Sequence, residues 1–91
     1  MEIEFDPEKR TLTLAERGLD FLDAPLILDG RFAKTVPDLR FDYGEDRLVT
    51  FGWHDNVAVA VVWTEREAVR RIIPMRRMHH GEIDDVRLER P

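Results

Sequence analysis

No cysteine occurs in this chain, so neither a disulfide nor a thiolate metal site can stabilise it, and nothing points to an oxidising compartment. No apolar run approaches the roughly 18 residues that a membrane span requires, and the opening MEIEFDPEKR is charged from its second residue; a cytoplasmic location is the expectation. A general positive charge is missing too, with 14 Lys and Arg against 19 Asp and Glu. Any attraction to nucleic acid must therefore be local and salt-sensitive. Internal repeats and low-complexity segments are absent, and 91 residues with 43% hydrophobic content suffice for one small domain, residues 1–91, with a single core.

Against that acidic background stands one cationic strip. Residues 66–80 hold 5 basic side chains and 1 acidic one, whereas residues 1–65 hold 7 and 14. Within it, RRIIPMRRMHH puts four arginines and two histidines into eleven positions.

The surrounding pattern predicts a small α+β domain. Its expected order is an N-terminal strand and two helices, followed by an antiparallel sheet and a short C-terminal helix, with the helices segregated from the sheet. Asp6-Pro7 reads as an N-cap with proline at the first helical position, Leu12 and Leu14 as the apolar anchors of that helix, and Gly18 as its end. Asp20 caps a second, shorter helix limited by Pro25. RFAKTVPD reads as a strand stopping near Pro37, and RLVTFGW as a strand with Val49, Phe51 and Trp53 on one face. A tight turn is expected at Asp55-Asn56, and VAVAVVWT, apolar on both faces, reads as the central strand. Glu65 to Ala68 makes the next turn, and VRRIIPMRR returns as a strand in which Pro74 marks an edge, a bulge or an end. Ile83, Val86 and Leu88 give the tail a weak helical spacing.

Two readings of the strip compete. Arginines on a solvent-facing edge strand prevent edge-to-edge pairing and need no further purpose. Yet strict alternation puts Arg70, Ile72, Pro74 and Arg76 on one face and Arg71, Ile73, Met75 and Arg77 on the other. At least one arginine then lies on a covered side, where it needs a ligand or a carboxylate partner. RNA is an intelligible ligand: cleavage through the 2′-hydroxyl needs a base, cations at the charged phosphate and an acid for the leaving oxygen. Arg66, Arg76, Arg77, His79 and His80 are the candidates for catalysis, and Arg70, Arg71 and Arg17 for contacts to the RNA backbone. Adjacent histidines on a strand point to opposite faces and no third histidine clusters with them, so no metal site is expected.

The sequence resembles the BrnT family of type II toxins, relatives of the RelE-like ribonucleases. The likeness runs through EFDPEK, RGLDF, DLRFDYGEDR, VVWTER and RIIPMRR with Glu82 following, and covers nearly the whole chain. It implies a RelE-like fold, RNA cleavage without metal or other cofactor, and a BrnA-like ribbon-helix-helix antitoxin that masks the site and alone contacts operator DNA. By position, Arg66, Arg76 and Arg77 match the basic residues expected to face RNA, and Glu82 the acid of the last helix. Asp42, Tyr43, Glu45 and Arg47 match a middle motif read as more structural than catalytic. Four departures bear on activity. Thr13 stands where the family usually has Asn, Glu16-Arg17 where it has Lys-His, Pro74 where it has Ser, and His79 where a hydroxyl caps the last helix. A catalytically weakened or inactive protein acting as an interaction module is the alternative, with the arginines as interface anchors.

Overall fold

A computed structural model of the chain describes residues 2–40, 42 and 44–91, so Tyr43 of the middle motif lies outside the described residues. A two-residue strand β1 (Ile3–Glu4) leads into helix α1 (Pro7–Arg17). A 3-10 turn (Phe21–Asp23) then runs into the short helix α2 (Ala24–Leu28). Strands β2 (Lys34–Pro37), β3 (Leu48–His54), β4 (Val57–Arg66) and β5 (Val69–Arg77) follow, and α3 (His80–Asp85) closes the order. The sheet runs β1-β5-β4-β3-β2. It is mixed rather than antiparallel throughout, because β1 pairs with β5 in parallel through Ile3↔Arg70 and Glu4↔Arg71. A parallel pair needs a long crossover, and the chain between β1 and β5 supplies one.

Local chemistry explains the boundaries. Asp6 accepts a hydrogen bond from the Glu8 N–H at 2.9 Å, and Gly18 ends α1 at φ +67° with its N–H on Leu14 O. Both hairpins turn on two residues in the left-handed region, Asp55 and Asn56 (φ 49° and 64°) and Glu67 and Ala68 (φ 51° and 65°), which matches the twist of the flanking strands. The second turn is thus tighter than the four residues expected, and β4 continues through Arg66.

Helices cover both faces of the sheet instead of standing apart from it, and two apolar clusters replace the single core. On one face Leu19, Phe21, Ala24 and Ile27 pack against Val59, Val61, Ile72 and Met75. Gly52 allows this approach, since a Cβ there would meet Ile27 Cγ2 at 2.9 Å and Ile27 O at 3.1 Å. On the other face Met78, Ile83 and Leu88 pack against Phe51, Ala58 and Ala60, flanked by Val49 and Trp53 on the side expected for them.

Helix α1 departs from expectation: no side chain in it is buried, with Leu12 57% and Leu14 44% exposed. Polar contacts hold it instead. The Arg10 guanidinium donates twice to Asp20, at 2.8 and 3.0 Å, and Arg17 Nη1 donates to Met75 O at 2.7 Å.

Pro74 sits at a bulge, on a stretch of β5 beyond Arg70 and Arg71, the residues that β1 pairs with. Met75 stands opposite Val61 but Ile72 opposite Trp63, so Ile73 and Pro74 together oppose Val62. One extra residue flips the phase of a strand. Ile72 and Met75 therefore enter the same apolar cluster, which strict alternation forbade.

Candidate functional site

The bulge decides where the strip's cations point. Before it, Arg70 follows the phase of Ile72 onto the α2 face. Its Nη1 donates to Asp29 Oδ1 at 2.9 Å, its guanidinium lies 5.2 Å from the Trp63 ring centre, and its side chain is only 19% exposed. Arg71, on the opposite face, reaches Glu4 of β1 at 3.4 Å. Both arginines fasten β5 to its neighbours.

After the bulge, Arg76 turns toward α3. Its two terminal nitrogens donate to the two oxygens of Glu82, each at 2.7 Å, and Glu82 Oε1 also accepts from the His79 N–H at 3.3 Å. Glu82 thus contributes the carboxylate half of a capping box at the start of α3. The hydrogen bond from Arg76 lowers the Glu82 pKa below the ordinary carboxylate value and raises that of Arg76. Arg77 projects the other way, beside Gly18 at the end of α1, where a Cβ would meet its Nη2 at 3.6 Å.

Together these segments form an open groove of about 670 Å³ lined by Glu16, Arg17, Gly18, Arg76, Arg77 and His79. The end of α1, the end of β5 and the N-cap of α3 meet there. Among the described residues, Arg17 and Arg77 form no ion pair, although Glu16 shares the groove. Arg17 is held by the Met75 carbonyl, a partner that leaves its charge uncompensated. His79 and His80 are exposed at the start of α3, on a helix N-terminus rather than on a strand, and only His79 lines the groove.

Arg66 stands elsewhere. It ends β4 opposite Val69, whereas Arg76 stands opposite Ala60, so six strand residues, about 20 Å, separate them. Its Nη2 donates to Glu45 Oε2 at 2.8 Å, a bond that lowers the Glu45 pKa and raises that of Arg66. Arg47 also donates to Glu45, at 3.3 Å, so the middle motif ties its loop to the end of β4. Of the eight candidates, then, four meet in one groove: Arg17, Arg76, Arg77 and His79. Arg66, Arg70, Arg71 and His80 do not.

A second groove, of about 350 Å³, lies on the α3 face and shares Arg76 with the first. Val49, Phe51 and Val62 line it with Arg40 and Glu82, and Arg40 donates to the buried Asp38 at 2.9 and 3.1 Å. Sequence reading missed Arg40, since 36 positions separate it from Arg76 and no spacing rule joins them. Among the described residues no group of three or more His, Cys, Asp or Glu is placed to hold a metal ion, and no helix is long and apolar enough to cross a membrane.

Fold and groove define a small α+β protein with a cationic cleft at one end of a five-stranded mixed sheet. The family model described as "Ribonuclease toxin, BrnT, of type II toxin-antitoxin system" matches residues 5–82, and the chain belongs to this family. Membership implies a ribonuclease toxin of a type II toxin–antitoxin pair, with RNA as substrate and an antitoxin as partner. No curated protein matches the chain.

Proposed function

We propose that RNA is cleaved without a metal in the groove lined by Arg17, Arg76, Arg77 and His79. The observation that carries this reading is the meeting in one open cleft of an exposed imidazole with two guanidinium groups, Arg17 and Arg77, that form no ion pair among the described residues. The 2′-oxygen attacks the adjacent phosphorus as its proton passes to a base, the P–O5′ bond breaks, and the 5′-oxygen takes a proton. Products are a 2′,3′-cyclic phosphate and a 5′-hydroxyl. Arg77 and Arg17 stabilise the charge gathering on the phosphoryl oxygens, and His79 moves a proton. Arg76, already bonded to Glu82, forms the wall of the cleft and contributes charge from a fixed position. Residues 16, 17 and 79, three of the positions that depart from the family pattern, line the same cleft, which supports reading His79 as the replacement for the histidine missing at position 17.

A RelE-like ancestry of the fold and a BrnA-like ribbon-helix-helix antitoxin as the neutralising partner belong to the same proposal. Purified protein incubated with RNA is expected to degrade it, and Arg77→Ala and His79→Ala to degrade it at least about 100-fold more slowly. Equal degradation by Arg77→Ala removes the assignment. Glu16 in the cleft and the closed Arg76–Glu82 pair favour a rival, the non-catalytic interaction module. Growth inhibition on expression without antitoxin, abolished by Arg77→Ala, contradicts that rival.

A further inference from the structure

We infer that the second groove, on the α3 side of Arg76, is a subsite for a single nucleobase next to the phosphate held in the cleft. This rests on the ribonuclease reading and deepens it.

Continuity comes first: Arg76 lines both cavities, so a nucleotide whose phosphate lies in the cleft has its base within reach of the second groove. The interior suits an aromatic ring. Val49, Phe51 and Val62 form an apolar floor, and the volume of about 350 Å³ lies at the lower end of small-molecule pockets. Polar groups gather at the rim, as orientation of a flat heterocycle requires. Arg76 arrives on β5 fixed by Glu82, and Arg40 arrives on the loop after β2 fixed by Asp38. Both guanidinium groups line this one groove. Glu82 takes two of the five N–H groups of Arg76, and those that remain favour a ligand edge rich in acceptors. Carbonyl oxygens and ring nitrogens supply such an edge, and guanine offers O6 with N7, where adenine has an amino group in place of the carbonyl. The expected occupant is a guanine, bound in preference to adenine.

The test uses five short 2′-O-methyl oligonucleotides, whose blocked hydroxyl prevents cleavage. They are identical except at one position, which carries guanine, adenine, cytosine, uracil or no base. Binding is followed by fluorescence anisotropy. Guanine is expected to bind about tenfold more tightly than adenine, with the abasic strand weakest. Val49→Phe, which fills the floor, is expected to bring all five within about twofold of one another while its melting curve stays cooperative. Leu39→Ser, at a rim side chain that is 85% exposed, is expected to narrow the spread about threefold. Arg77→Ala is expected to weaken all five alike.

Adenine binding as tightly as guanine, or a spread that survives both Val49→Phe and Leu39→Ser, overturns the base subsite and leaves the phosphate cleft standing. Indifference of all five strands to Arg77→Ala overturns the cleft itself.

Discussion

Arg70 and Arg77 belong to one strand, seven residues apart, and have opposite surroundings. Arg70 precedes the bulge at Pro74, lies against Trp63 and is bonded to Asp29. Arg77 follows the bulge and opens onto a cleft with no ion-pair partner among the described residues. The same guanidinium group thus does two jobs. Where a carboxylate lies within reach, it joins elements of the fold. Where no carboxylate among the described residues is paired with it, its charge remains available to a polyanion.

That contrast breaks most readily at its two ends. Arg77→Ala is expected to lower the cleavage rate by about 10² to 10³ with the melting temperature unchanged, as fits removal of one charge-stabilising donor. Arg70→Ala should do the reverse: cleavage at the wild-type rate, and a loss of about 1 to 2 kcal/mol in denaturant-measured stability as the Trp63 and Asp29 contacts go. Slow cleavage by Arg70→Ala in a protein of undiminished stability would erase the distinction between the two halves.

Arg76 stands between these cases, and pH probes it. Because Arg76 lowers the folded pKa of Glu82 below the ordinary value of 4.5, the pair's contribution is fully present above that value and is lost as pH falls through the lower folded one. Thermal melts from pH 6 down to pH 3 are expected to show a shallower decline for Glu82→Gln than for wild type. Parallel declines would mean that the pair holds α3 without measurable effect. Smallest is the effect at the turn that launches the strip. Ala68 at φ 65° suits glycine better, and Ala68→Gly is expected to stabilise the hairpin by about 0.5 kcal/mol without altering cleavage. A loss of stability would show that the entropy of the unfolded chain outweighs the relief of strain.

Caps and turns were legible because they rest on chemistry within a few residues. Asp6, Gly18, Asp20 and Asp55-Asn56 all act where their residue types put them. The burial of β4 was legible for a similar reason, since apolar residues on both faces leave no solvated side. Leu12 and Leu14 misled because apolar character counts as an anchor only when another element comes to meet it, and α1 is tied down through Arg10 and Arg17 instead. Alternation along β5 failed because Pro74 offered three outcomes, and the choice among them depended on how β4 and β1 pair with β5. In the candidate site, the residue types of the cleft were readable, but their grouping was not. Strand length alone puts Arg66 about 20 Å from Arg76, and that distance exists only once β4 and β5 are paired.

By itself the sequence determined an α+β chain without cysteine, the ends of α1, the central strand, and a concentration of arginine and histidine between residues 66 and 80. Family kinship was also present in the order of its motifs. Only the tertiary structure decided which cations are free. Charge is a property of a side chain, whereas its availability depends on whether folding brings a carboxylate to it, and Asp29, Glu45 and Glu82 reach Arg70, Arg66 and Arg76 from distant or separate segments.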